Sequence, residues 1–140
     1  MSIEEKQQDI VEEFSMFEDW MDKYEYIISI GKELPSIEDN QKVEDNLVKG
    51  CQSQVWLISN FEDGQLNFKA DSDAMITKGL IGLLVRVLSG HSPKEIMNTE
   101  LHFIDEIGLK EHLSPNRANG LAAMVKKMKT YSIAYNAINN

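Results

Sequence analysis

Apolar positions recur three and four apart from the start of the chain. Ile10, Val11, Phe14 and Phe17 share one helix face, and Ser2-Ile3-Glu4-Glu5 ahead of them is a capping box that predicts the helix start. A second helix is predicted from Asp19 to Ile30, with Trp20, Tyr24, Ile27 and Ile28 on one face, Gly31 as its stop and Pro35 safely beyond. The two are expected to form a hairpin over a sheet. Ser36 to Asp45 is polar and reads as a connecting loop. From about Asn46 to Ala70 the pattern turns to short β-branched and aromatic runs: one ending at Val48, one through Val55-Trp56-Leu57-Ile58, and one through Leu66-Asn67-Phe68. Asp63-Gly64 favours the primed turn of a hairpin between the last two. Three short antiparallel strands are therefore expected.

Ala74 to Ser89 is apolar nearly all round, which predicts a central helix buried on most faces, with Asp71, Ser72 and Asp73 as candidate N-caps and Gly90 as its end. Gly79 and Gly82 within it permit close approach of another element, at up to about 1 kcal/mol each relative to alanine. Ser92-Pro93-Lys94-Glu95 is a second capping box. Ile104 to Leu113, broken by Gly108, reads as two helical turns. Ser114-Pro115 then caps a last helix carrying Leu121, Met124, Val125, Met128, Tyr131, Ile133 and Tyr135. Several helices packed on a three-stranded antiparallel sheet make an α+β fold. With no repeat, linker or low-complexity tract, residues 1–140 are expected to form one domain.

Composition narrows the function classes. A net charge of -9 and a pI near 4.8 argue against nucleic acid and against anionic membrane surfaces, both of which demand basic patches. The longest apolar stretch, Met75 to Leu88, is interrupted by Lys78 and Arg86 and is too short to span a bilayer. The N-terminus is acidic and helix-like, without an apolar leader, and a single cysteine cannot form an internal disulfide. A soluble, cytoplasmic protein is expected. His91, His102 and His112 lack metal-ligand spacing, so no metal is expected, and no phosphate loop, dinucleotide fingerprint or nucleophile elbow appears.

The chemistry therefore rests on Cys51, the one cysteine of the chain. It falls at a break between two strand-like runs, beside Gly50, whose backbone freedom suits a tight reversal. That places the thiol at an exposed loop tip, where it can reach a partner; Val48, Val55 and Trp56 are candidates for a shielding wall. A free thiol near pKa ~8.5 is only a few per cent thiolate at neutral pH, and Lys49, expected to be solvated, is too weak a neighbour to change that alone.

Around it, Val48, Gly50, Cys51, Gln52, Ser53, Val55 and Trp56 match V-x-G-C-Q-S-x-V-W without a gap. This resembles the signature of the SufE family of sulfur-acceptor proteins. Two further stretches are similar to that family: Ser72, Asp73, Ala74, Ile76, Lys78 and Gly79 follow S-D-A-x-I-x-K-G, and Arg117, Asn119, Gly120 and Leu121 follow R-x-N-G-L. The resemblance runs nearly the whole chain and implies a single SufE/IscU-like domain. It implies that Cys51 takes persulfide sulfur from a PLP-dependent, SufS-like cysteine desulfurase, stimulates that enzyme, and passes the sulfur to a SufB-like scaffold for iron–sulfur cluster assembly. The PLP would belong to the desulfurase and this chain would carry no cofactor, acting as carrier and activator more than as a stand-alone enzyme. The resemblance leaves room for a homodimer.

Gly50, Gln52, Ser53, Asp73, Arg117 and Asn119 are the candidates for partner binding or positioning of the cysteine loop. Asp73 reads structurally as an N-cap, and Arg117, at the unfavourable end of a helix dipole, either orders the loop, meets the donor or makes a surface ion pair. An iron–sulfur scaffold would want several cysteine ligands, a peroxidase a resolving thiol or base. A binding module with an incidental cysteine would keep stimulating a desulfurase after Cys51→Ser.

Overall fold

The computed structural model describes residues 1–139; Asn140, the last of the expected domain, lies outside them. The helix at the centre is α3 (Met75–Leu88), where Ile76, Leu80, Ile81, Leu83, Leu84, Val87 and Leu88 are all buried. Such a helix needs apolar partners on every side. It finds them in α2 (Trp20–Glu33), in the strand β2 (Gln65–Ser72), and in α1 (Ile3–Ser15) and α7 (Pro115–Ile138). Three short helices, α4 (Pro93–Asn98), α5 (Phe103–Glu106) and α6 (Leu109–His112), connect α3 to α7.

Strand β1 (Val55–Glu62) pairs antiparallel with β2, Val55 opposite Ser72 and Glu62 opposite Gln65. Asp63 and Gly64 join them with φ of 54° and 77°, the left-handed pair that a primed turn requires. Alternation puts Val55, Leu57, Leu66, Phe68 and Ala70 on the core face, all buried. Trp56 and Asp71 fall on the other face, where Lys42 lies 5.7 Å above the Trp56 ring. Buried Asp71 is held there between Lys42 at 3.0 Å and Lys78 at 3.2 Å, so that one carboxylate ties the 36–48 segment to β2 and α3.

Three expectations are corrected. Among the described residues the sheet has two strands, not three. Leu47 forms an isolated bridge to Trp56, and the Val48 amide donates to the Val55 carbonyl at 2.8 Å. A one-turn 3-10 segment at Glu44–Asn46 and the turn at Lys49-Gly50 leave only two residues between them, too few to extend a ladder. Gly31 is not a stop: α2 continues to Glu33, and Gly31 packs against Gly79 of α3, each too close to the other helix to carry a side chain. The hairpin of α1 and α2 does form, with Phe14 against Tyr26 at 5.2 Å between ring centres, but α2 lies on α3 instead of on the sheet.

Other boundaries match the periodicity. Ser2, Ser92 and Ser114 cap α1, α4 and α7 through their side chains, and Gly108 separates α5 from α6 with φ 81°. No helix of the described residues is long and apolar enough to cross a membrane.

Candidate functional site

The 49–54 segment leaves the bridge at Val48 and returns to the hairpin at Val55. Gly50 turns it with φ +99°, and a side chain there would be both strained and 3.2 Å from the Ala123 β-carbon of α7. The reversal throws Cys51 inward. Its thiol is half-buried and donates to the Gly120 carbonyl at 3.6 Å. Gly120 forms the near wall of this seat: a β-carbon there would lie 3.4 Å from the sulfur, an ordinary van der Waals contact. The expectation of a thiol at an exposed tip is thus corrected. The sulfur is tucked against the first turns of α7, because Gly50 turns the chain close to that helix.

Burial pushes the Cys51 thiol up from its ordinary pKa. Lys49 brings no help: it is 72% exposed and pairs with Glu44 at 3.4 Å. The resting sulfur is therefore a protonated, weakly nucleophilic thiol.

A cavity of about 300 Å³ opens beside the sulfur. The loop contributes Cys51, Gln52 and Ser53, and α3 contributes Thr77 and Leu80. The remaining wall is the start of α7, with Ser114, Asn116, Arg117, Gly120 and Met124. The apolar part of the wall is Leu80 and Met124. The expected wall does not form: Val48 and Val55 are spent in the core, and Trp56 projects to the opposite face of the sheet.

Two sets of bonds fix the loop. Asp73 Oδ1 accepts the Gln54 amide at 3.0 Å, while the Gln54 carbonyl accepts from Ser72 Oγ at 2.8 Å and from the Asp73 amide at 3.2 Å. Asp73 is consequently a loop anchor and not the N-cap of α3; that cap position is Ala74, whose amide donates to Ser72 Oγ at 3.2 Å. At the other end of the cavity, Asn116 Nδ2 donates to Gln52 Oε1 at 3.2 Å, linking the loop to the first turn of α7.

Arg117 lines the cavity with its guanidinium 5.7 Å above the Tyr24 ring. Among the described residues it makes no ion pair, so the surface-pair reading falls away. Of the seven candidate site residues Gly50, Asp73 and Asn119 do not line the cavity; Gly50 turns the cysteine loop and Asp73 anchors it, while Asn119 is exposed.

Sequence reasoning did not single out Thr77 or Asn116. Thr77 carried a usable signal, since an uncharged polar residue on a helix that is apolar nearly all round calls for a reason. Asn116 carried none, because its partner Gln52 lies 64 positions away.

Among the described residues no group of three His, Cys, Asp or Glu side chains converges as a metal site. The histidines are scattered. His102 bridges Glu4 and Glu106 at 2.8 Å each, His112 stacks on Trp20 at 4.3 Å, and His91 is buried between α3 and α4.

The family described as SufE, Fe-S metabolism associated domain, matches residues 8–132. The chain is 39% identical over 126 residues to an uncharacterized SufE-like protein of Rhizobium meliloti (strain 1021), covering 86% of this chain and 90% of that one. It is 40% identical over 126 residues to an uncharacterized SufE-like protein of Synechocystis, covering 90% of this chain and 79% of the other. The solution structure of a hypothetical protein from Thermus thermophilus shares the fold, with a TM-score of 0.76 over 96% of this chain and 97% of that one at 21% identity.

Proposed function

The chain belongs to the SufE family of iron–sulfur metabolism, and we propose that within that chemistry Cys51 is the sulfur acceptor. As a thiolate it attacks the outer sulfur of a persulfide on the cysteine of a donor desulfurase. A sulfur–sulfur bond forms on Cys51, the donor's own sulfur–sulfur bond breaks, and the donor leaves as a thiolate that takes up the proton Cys51 released. Thiol and persulfide have exchanged places without net oxidation. The donor carries the PLP. This chain serves as carrier and activator, relieving the donor of its persulfide and passing the sulfur to an iron–sulfur scaffold.

The observation that carries the reading is the lone thiol in its cavity, half-buried yet bordered by an opening of about 300 Å³. A cysteine kept only for packing has no need of space around its sulfur. The loop also suits withdrawal. Val48 and Gln54 are pinned by backbone bonds, while the hydrogen bonds that hold the tip between them to α7 are, among the described residues, Cys51–Gly120 and Gln52–Asn116. The resting thiol is protonated and shielded, so activation falls to the donor, whose cleft draws the sulfur off Gly120 and into contact with its own charges.

The test is intact mass spectrometry after incubation with a cysteine desulfurase and cysteine. The expected product is a reducible one-sulfur adduct on Cys51, absent from Cys51→Ser, together with faster desulfurase turnover that the serine variant does not produce. Unmodified Cys51 under turnover, or equal stimulation by the serine variant, would refute it.

A further inference from the structure

One polar group in the cavity has no assigned use. Thr77 is only 7% exposed, in the first turn of α3. Buried helical hydroxyls ordinarily bond back to a carbonyl three or four residues earlier, as Thr130 does to Lys126 and Ser132 to Lys129. Among the described residues the Thr77 hydroxyl makes no such bond and has no other protein partner. Nor is it sealed off, because the buried side-chain nitrogen or oxygen with neither partner nor access is His91 Nε2. The opening Thr77 lines is the one beside Cys51. A hydroxyl left unpaired near a protein's interior is costly, so one that lines the cavity of the Cys51 sulfur has a use for an acceptor there.

We propose that Thr77 is a positioning residue for the sulfur carried on Cys51, its hydroxyl donating a hydrogen bond to the outer atom of the persulfide inside this cavity. The inference rests on Cys51 as a sulfur carrier and adds where the cargo sits. The resting thiol spends its own proton on Gly120. A second sulfur on Cys51 extends the side chain by one bond of about 2 Å and ends in an acidic S–H, so the deprotonated terminus needs a donor that the thiol did not. The donors on the first turns of α7 are solvent-exposed side chains: Ser114 Oγ accepts the Arg117 amide at 3.3 Å, Asn116 Nδ2 donates to Gln52, and Arg117 lies over the Tyr24 face. Thr77 is the buried hydroxyl of the cavity wall, and as a neutral donor it steadies the anion without making it a poorer sulfur donor through a fixed charge.

The experiment compares the unaltered protein with Thr77→Val, which keeps shape and removes the hydroxyl, and with Thr77→Ser, which keeps the hydroxyl. Sulfur is installed on Cys51 in two ways: from inorganic polysulfide, whose chain shortens by one sulfur as Cys51 gains it, and from a desulfurase with cysteine. The readouts are the rate at which dithiothreitol removes the outer sulfur and the pH profile of that removal. Thr77→Val should lose its sulfur about tenfold faster, with the persulfide ionising at higher pH, and Thr77→Ser should behave as the unaltered protein. Equal lifetimes and profiles in all three would overturn the role of Thr77. Serine failing to rescue would also overturn it, since the effect would then be one of packing. If polysulfide loads Cys51 and the desulfurase does not, the donor assignment falls, while the chemically loaded protein still decides for or against Thr77.

Discussion

Gly50 and Gly120 both face the cysteine seat, yet alanine should have opposite effects at the two. Gly50 sits at φ +99°, where a side chain costs strain, and its β-carbon would press on Ala123 at 3.2 Å. Gly50→Ala should therefore destabilise by about 1–2 kcal/mol. Gly120 lies within α7, where glycine is worse than alanine by about 0.5–1 kcal/mol, and its β-carbon would meet Cys51 Sγ at an ordinary 3.4 Å. Gly120→Ala should raise stability by about that amount and slow alkylation of Cys51, because it fills space beside the sulfur. Urea melts and the iodoacetamide rate as a function of pH check both. A destabilised Gly120→Ala would mean that α7 cannot accept even this contact. That Cys51 is the candidate thiol could be read from its neighbours in sequence. That it is tucked inward could not, because the seat is made by Gly120, 69 positions away.

At the scale of elements, the crossing of α2 over α3 is the tightest joint in the molecule. A β-carbon on Gly79 would fall 2.1 Å from the Ile27 carbonyl oxygen, and one on Gly31 would fall 2.7 Å from the Gly79 amide nitrogen. Both obstacles are backbone, so the helices themselves must separate. Gly82 differs: its obstacle is the Ile30 side chain at 3.3 Å, which can rotate. Gly79→Ala should cost about 3 kcal/mol, and Gly82→Ala should stay within about 1 kcal/mol of the parent, as the urea midpoint will read. The sequence announces Gly79 and Gly82 as sites of close approach, because glycines inside an apolar helix need a reason. Gly31 misleads, since glycine at the end of a periodic run is equally the mark of a stop, and only the partner helix tells the two apart. The same locality limits the sheet. Val55 and Phe68 show their strands by alternation and by the Asp63-Gly64 turn between them. Leu47 and Val48 look strand-like, yet they are bounded by turns whose geometry the hydrophobic pattern does not record.

Across the whole molecule, two histidines set opposing dependences on pH. His102 joins the start of α1 to α5, taking hydrogen bonds with Glu4 and Glu106, and these carboxylates raise its pKa. Its contribution is complete below the unfolded value of about 6.5 and disappears as pH rises through the folded value. His91 runs the other way. Burial lowers its pKa first, then the charge of Lys6 on α1 and the N-terminus; Glu95 at 3.8 Å opposes them without prevailing. The folded state therefore favours neutral His91, a contribution present above about 6.5 and lost as pH falls through the folded value. Lys6 remains beside this site because its ammonium donates to the Ser89 carbonyl at 3.1 Å. His91 acts below about pH 6.5 and His102 above it, so the unfolding free energy contributed by the pair should peak near pH 6.5 and fall on either side. His102→Gln removes the falling term alone, and the urea midpoint of that variant should climb to about pH 6.5 and stay level above it. A profile with the parent's slope would show that the Glu4–His102–Glu106 bridge is too solvated to couple proton binding to folding, leaving α1 and α5 joined by their apolar faces and by Gln7, whose side chain bonds the Glu100 carbonyl and the Phe103 amide.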